Sequence, residues 1–349
     1  MAFTSNNGFP EHPIFDVHTI REMQEIVPGL YLSGAQAAGA LDYLKAFEIT
    51  HVLQVTDIKM PPFPGEFVYK IIPVPDMDET NLIKHFPDTN KFIQEALDKG
   101  GRVLVHCQAG ASRSVTIMCA YLMKTKGMTS SEALLFVQAK RPIAGPNDGF
   151  MDQLQLYGDI EFDVSTQRTE YRRFLIASMA AQREMFGYID EMTLAADPTV
   201  IQGSGSASSS SSIPSPAATT GRPLPPLKCK KCRRALVSRE SVVSHMPGEG
   251  QNAFQYRKRD GTLHISQAIQ SDANAASSGN IVNTHSNNAC QSYFVEPVEW
   301  IQGLHALEGK VSCPKCDSKL GTFNWSGEQC SCGTWVTPAF MLHKGKVDG

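Results

Sequence analysis

The stretch VLVHCQAGASRSV, residues 103–115, constrains this chain more than any other. VLVH reads as a short buried strand, a glycine-containing loop follows, and SRSVTIMCAYLM reads as the opening of a helix. Cys107 and Arg113 stand six positions apart, with His106 before the cysteine and Ser114 after the arginine. A strand that passes through a tight loop into a helix belongs to an α/β sheet. A reactive group at the strand's C-terminal end sits where such sheets bind ligands.

The spacing has a chemical meaning. The backbone N–H groups of Gln108, Ala109, Gly110, Ala111 and Ser112 can curl into an anion nest, to which the helix N-terminus adds partial positive charge. Arg113 supplies a planar fork that matches two phosphate oxygens. The same field favours a thiolate at Cys107, aimed at the anion in the nest. Those features suit a nucleophile for phosphoryl transfer through a phosphocysteine. Ser114 would donate to the sulfur and ease its departure in the second step. His106 would fix the loop behind Cys107.

The string HCQAGASRS resembles the signature of the cysteine-dependent phosphatases of the dual-specificity family, with His106, Cys107, Gly110, Arg113 and Ser114 falling on it. The resemblance implies a general acid in the loop after the strand FVYKIIPV. That loop reads Pro75-Asp76-Met77-Asp78-Glu79-Thr80, and Asp76 stands where the family carries its acid. Asp78 and Glu79 suit the start of the next helix. Asn147, in GPNDGF, stands where the family has an asparagine that braces the loop; an asparagine here also suits a helix N-cap.

The surrounding pattern agrees with an α/β fold. Strands are expected at 26–34, 50–55, 67–74 and 102–106, and helices at 35–47, 82–97, 114–125, 129–140 and 148–160. Thr129 and Glu132 form a capping-box pattern. The expectation is a phosphatase domain over 23–160, a central sheet flanked by helices. A helical extension follows over 161–195, packing on that domain or on a partner, then a flexible Ser/Pro-rich linker over 196–227 and a small zinc-binding C-terminal domain over 228–349. A polar insert at 251–288 is expected to be mobile.

Cysteine usage marks the second domain. Cys107 and Cys119 lie in the first half, and the other seven cysteines and all three tryptophans lie beyond residue 228. No basic segment followed by an apolar run opens the chain, and no stretch is apolar enough to span a bilayer, so an intracellular protein with reduced thiols is expected. Cys229-x2-Cys232, Cys313-x2-Cys316 and Cys330-x-Cys332 then read as knuckles for structural Zn2+. The spacing groups Cys313, Cys316, Cys330 and Cys332 as one four-cysteine site. Cys229 and Cys232 need two more ligands: Cys290, the remaining cysteine, and a histidine, for which His245 and His285 are candidates.

The segments LKCKKCRRALV, QSYFVEPVEWI, CPKCDSKLGTFNWSGEQCSCG and WVTPAFMLHK are similar to the C-terminal zinc domain of one eukaryotic subfamily of dual-specificity phosphatases, linked to maturation of the large (60S) ribosomal subunit. That resemblance selects His245 to join Cys290. It implies two structural Zn2+, no cofactor for catalysis, phosphoprotein substrates, pre-60S particles as partners through rRNA or ribosomal proteins, no membrane association, and a cytoplasmic and nuclear location. Lys228, Lys230, Lys231, Arg233, Arg234 and Arg239 could track RNA phosphates, or simply form a solvated face.

Two functions compete. One is a phosphatase of phosphotyrosine and phosphoserine/threonine targeted by its zinc domain; the other is an assembly factor in which catalysis is dispensable. An RNA 5′-phosphatase is a third reading, opposed by charge. Residues 1–220 carry 17 Lys and Arg against 25 Asp and Glu, and a polyanion channel would want the reverse.

Overall fold

The computed structural model describes residues 22–189, 192–201, 225–245 and 290–349. The expected mobile insert, most of the expected linker, and His264 and His285 lie outside them. The chain divides into two compact units between Val164 and Ser165.

The first unit is built on a five-stranded sheet in the order β1-β2-β5-β3-β4. Its strands are β1 (Gln24–Val27), β2 (Leu30–Ser33), β3 (His51–Thr56), β4 (Val68–Pro73) and β5 (Val103–His106). β2, β5, β3 and β4 run parallel, and β1 returns antiparallel on the edge. The strand expected at 26–34 is therefore two. Gly29, at φ +77°, turns the chain between them, a conformation that costs glycine nothing. The helix expected at 35–47 is likewise broken into α1 (Ala35–Ala38) and α2 (Leu41–Ala46), because Ala40 is extended.

β5 is fully buried at the centre of the sheet. Its side chains alternate between faces. Leu104 joins Tyr31, Ala38, Leu44 and Val52 on the face covered by α1 and α2. The remaining helices are α3 (Phe86–Asp98), α4 (Arg113–Lys126), α5 (Ser130–Gln138) and α6 (Asp148–Asp159). α4 packs on β2, β3 and β5 and meets α3, α5 and α6. Burial of its whole run from Arg113 to Met123 explains why the segment is apolar nearly all round. The Thr129–Glu132 capping box opens α5 as expected, with Glu132 N–H donating to Thr129 Oγ1 and Thr129 N–H to Glu132 Oε2.

The second unit begins with α7 (Thr169–Phe186). The sequence leaves its packing surface between the phosphatase domain and a partner; within this unit it buries Ile176, Met179 and Ala180 among Leu227, Leu236, Val298, Phe323, Trp325 and Phe340. Its apolar stripe completes a core that the strands alone leave open on one side. A buried pair, Arg172 Nε to Glu296 Oε2 at 3.0 Å, ties helix to sheet. The chain beyond it stays docked: Ala195 bridges Val298, and Asp197 pairs with Arg234. Residues 196–201, expected in the linker, thus belong to this unit.

Its main sheet has the order β10-β11-β14-β9-β8. These strands are β8 (Val242–Val243), β9 (Ser292–Val295), β10 (Glu308–Ser312), β11 (Lys319–Asn324) and β14 (Ala339–His343). A smaller sheet joins β15 (Val347–Asp348), β6 (Leu227–Cys229) and β7 (Ala235–Val237), and β12 (Glu328–Gln329) pairs with β13 (Trp335–Val336). Trp325 is buried with its Nε1 donating to Leu304 O (2.9 Å).

Candidate active site and metal centres

Cys107 follows the last residue of β5, and Arg113 opens α4, so sheet and helix fix the two ends of the loop between them. Every carbonyl of the intervening residues is taken from outside the loop or by the helix. Ala35 N–H donates to Gln108 O (3.0 Å) and Gly145 N–H to Ala111 O (2.8 Å). Arg141 donates through Nη2 to Ala109 O (3.0 Å) and through Nε to Gly110 O (2.7 Å). Thr116 N–H donates to Ser112 O (2.9 Å). With their oxygens turned away, the peptide units can present N–H groups to the centre. Gly110 N–H already donates to Cys107 Sγ (3.2 Å), and Ser114 Oγ donates to the same sulfur (3.1 Å). Cys107 is 1 % exposed, so the sulfur faces the nest and not bulk water.

Arg113 is buried and fixed by its Nη1 donating to Val74 O (3.0 Å). Its Nε lies 3.3 Å from Asp76 Oδ2, close enough for attraction but not aligned as a hydrogen bond, and among the described residues it has no hydrogen-bonding partner. A buried guanidinium N–H without an acceptor costs free energy unless a ligand supplies one. Its position at the mouth of an N–H nest suits an oxyanion.

Asp76 follows β4 by three residues and reaches back over the loop. Its Oδ1 accepts from Ser112 Oγ (2.7 Å) and Asn147 Nδ2 (3.0 Å). Asn147 does two jobs, since its Oδ1 also caps α6 by accepting from Phe150 N–H (2.8 Å). His106 is buried, its Nδ1 3.3 Å from Cys107 O, and burial, opposed by that backbone contact, pushes its pKa down to about 4. Cys119 is buried in α4, where desolvation pushes its thiol up to about 12, and it packs as core.

Two buried residues escaped the sequence reading. Arg141 carries a signal that could have found it, a cation just before a proline at a helix end, but nothing in the sequence tells which carbonyls it meets. Gln153 lies on the inner face of α6 and accepts at Oε1 from Leu82 N–H (2.8 Å) and Ile83 N–H (2.9 Å), while its Nε2 donates to Thr80 O (2.9 Å). It thereby pins the far end of the loop that carries Asp76.

The second unit gathers two possible metal centres: Cys229, Cys232, Cys313 and Cys316 in one, and His245, Cys290, Cys330 and Cys332 in the other. The expected division does not hold. Cys313 and Cys316 join the first knuckle instead of Cys330 and Cys332, and His245 with Cys290 joins the last pair. The reason lies in the ladders. Cys229-x2-Cys232 and Cys313-x2-Cys316 lie at the turns of the β6–β7 and β10–β11 hairpins. The β8–β9 pairing brings His245 and Cys290 to one end of the main sheet, where they meet Cys330 and Cys332 from the turn between β12 and β13.

The geometry fits metal. Cys229 Sγ to Cys316 Sγ is 3.8 Å and Cys232 Sγ to Cys313 Sγ is 3.6 Å. A tetrahedral ion with bonds of about 2.3 Å to sulfur requires an edge of about 3.8 Å. His245 Nε2 stands 3.3 Å from Cys290 Sγ and 3.4 Å from Cys332 Sγ, near the roughly 3.6 Å of a mixed edge. Without a cation the thiols do not ionise alike: hydrogen bonds from Ser318 pull Cys316 down to about 6. Burial, reinforced by Cys332 and Cys330, pushes Cys290 up to about 12. Burial, partly offset by the N–H groups of Lys315 and Cys316, pushes Cys313 up to about 11. A divalent ion removes that difference.

Most of the basic cluster beside the first knuckle is engaged with the protein. Arg234 pairs with Asp197, Arg233 with Asp348, Lys230 Nζ donates to Lys344 O (2.9 Å), and Arg239 Nε donates to Pro225 O (3.0 Å). This favours the structural reading of these cations over a free track for RNA phosphates. No helix among the described residues is long and apolar enough to cross a membrane.

Residues 30–160 match the model of the dual specificity phosphatase catalytic domain. The rat "Dual specificity protein phosphatase 12" is 36 % identical over 332 residues, covering 93 % of this chain and 87 % of that protein. The Saccharomyces cerevisiae "Tyrosine-protein phosphatase YVH1" is 32 % identical over 361 residues, covering 94 % of this chain and 91 % of that one. A crystal structure of the Yvh1 phosphatase domain from Chaetomium thermophilum is 31 % identical, with 42 % of this chain and all of that one covered at a TM-score of 0.39. Likeness at that level over both units, together with an intact thiol–arginine loop, means that this chain belongs to the dual-specificity protein phosphatases and is a phosphatase enzyme.

Proposed function

We propose that the enzyme hydrolyses phosphotyrosine and phosphoserine/threonine in proteins through a phosphocysteine on Cys107, and that it serves maturation of the 60S ribosomal subunit through its metal-binding unit. The observation that carries the chemistry is the buried Arg113 Nε, without an acceptor, beside a sulfur that already receives two hydrogen bonds.

In the first step Cys107 Sγ attacks phosphorus while Arg113 and the loop N–H groups hold the equatorial oxygens. When phosphate takes the guanidinium, Asp76 loses that partner and its carboxyl is free to give a proton to the leaving oxygen. The serine, threonine or tyrosine hydroxyl departs, leaving a thiophosphate ester. In the second step water attacks, Asp76 takes its proton, and the P–S bond breaks. Ser114 Oγ, 3.1 Å from the sulfur, steadies the departing thiolate. Asn147 and Ser112 hold Asp76 for both steps.

Zn2+ suits both cysteine-rich clusters, one ion in each, with structural roles only. The ribosomal role is supported by the similarity of LKCKKCRRALV and CPKCDSKLGTFNWSGEQCSCG to the zinc domain of the subfamily so linked, and implies both nuclear and cytoplasmic residence. The test is rescue of cells lacking the protein, read as growth and as sedimentation of large-subunit precursors. A chain ending at Val164 that rescues fully overturns the role of the second unit. Failure of that chain alongside rescue by Cys107→Ser assigns the ribosomal role to the second unit and makes catalysis auxiliary to it.

A further inference from the structure

The phosphate loop must bind an anion with a backbone that carries as many carbonyl oxygens as N–H groups. The carbonyls of Gln108, Ala111 and Ser112 are drawn away by backbone donors. Those of Ala109 and Gly110, at the apex, are not: a side chain, Arg141, takes both. Gly110 lies at φ +69°, and a Cβ there would stand 2.5 Å from the Ser33 backbone and 2.7 Å from Arg141 Nη2. The apex is therefore in close contact with Arg141, and its peptide geometry depends on where the guanidinium donates.

Arg141 is 0 % exposed. It lies just beyond α5, and its own N–H donates to Val137 O (2.8 Å). The third arm of the guanidinium, Nη1, donates to Glu22 O (3.3 Å) and to Gln24 Oε1 on β1. The fork is thus gripped by the edge strand on one side and grips two successive loop carbonyls on the other. Lysine could reach one such oxygen but could not hold two in a plane. Burial lowers the pKa of Arg141. Its charge behind the loop favours an anion such as phosphate held in the nest.

We propose that Arg141 is a positioning residue of this phosphatase: backed by Gln24 and the Glu22 carbonyl, it holds the Ala109 and Gly110 carbonyls outward and so fixes the oxyanion-binding form of the loop. It touches no reacting atom and acts through the loop. The proposal rests on the reading of residues 107–113 as a phosphate-binding loop, so the experiment measures binding apart from turnover.

The full-length protein is alkylated with iodoacetamide at increasing concentrations of inorganic phosphate, and protection of Cys107 gives a phosphate constant. Arg141→Lys, which keeps the charge and loses the fork, is expected to weaken that constant about tenfold, and Arg141→Met about a hundredfold, with melting temperatures within about 5 °C of the parent. A folded Arg141→Lys protein protected at parental phosphate concentrations overturns the proposal. If Arg141→Lys does not fold, Gln24→Leu takes its place. That change at half-buried β1 removes one anchor of the guanidinium, is expected to weaken phosphate about threefold, and overturns the proposal if the constant is unchanged. Absence of protection in the parent protein would instead reject the loop itself as a phosphate site.

Discussion

The imidazole of His106 lies behind Cys107 with Nε2 lacking a hydrogen-bonding partner, and burial holds its pKa near 4 against about 6.5 in an unfolded chain. The neutral form is the folded form. Its contribution is therefore complete above about pH 6.5 and is lost as pH falls towards 4, amounting to about 3 kcal/mol over that interval. The melting temperature of the phosphatase unit is expected to fall across that window, and His106→Gln, which takes up no proton, to flatten the fall. A variant as acid-sensitive as the parent would move the linkage to His85, which burial also lowers to about 4. At the same scale, Cys107→Ser is expected to abolish turnover of an aryl phosphate while phosphate binding persists. Asp76→Ala should cost roughly 10²- to 10⁴-fold on alkyl phosphates and much less on nitrophenyl phosphate, whose leaving group needs no proton. Equal losses on both substrates would remove Asp76 from the role of acid.

Among the elements, the phosphate loop has the least freedom. Its apex residue Gly110 adopts φ +69° with the Ser33 backbone where a Cβ would stand. Gly110→Ala is expected to destabilise the phosphatase unit by about 2 kcal/mol and to abolish activity, checked by denaturant midpoint and by aryl-phosphate turnover. The loop was legible in the sequence because its chemistry is local: strand, nest, arginine and helix start follow within thirteen residues. Asp76 was legible only through family resemblance, for nothing local separates it from Asp78. What sets Asp76 apart is a partner 36 residues away, Ser112, and another 71 away, Asn147. Arg141 and Gln153 were missed for the same reason, since each serves residues distant in the chain.

On the scale of the whole molecule, the metal centres tie together strands far apart in sequence. The crossed grouping predicts that Cys229→Ser with Cys313→Ser damages a single cluster and leaves one zinc per chain by elemental analysis. Cys313→Ser with Cys330→Ser strikes both clusters and should leave none. The reverse result would restore the grouping by adjacent spacing. Chelation should unfold the hairpins that carry the two clusters, residues 225–245 and 290–349, while activity on aryl phosphates survives in the first unit. Helix α7 answers to the same unit: Arg172→Met removes a hydrogen bond to the buried Glu296 carboxylate, leaves it with the nearby charge of Arg173, and is expected to cost about 1.5–3 kcal/mol there.

The sequence by itself determined the α/β character of the first unit, the nucleophile loop and the six knuckle cysteines, because strand and helix periodicity, the Cys107–Arg113 spacing and the cysteine knuckles are properties of neighbouring residues; His245 came from family resemblance. The tertiary structure decided the partners. Which cysteines share an ion follows from which hairpins face each other, and spacing along the chain does not encode that. What Ile176, Met179 and Ala180 of α7 are buried against follows from strands far along the chain. The shape of the phosphate loop follows from donors on α1, just beyond α5 and just before α6 that the loop's own residues do not specify.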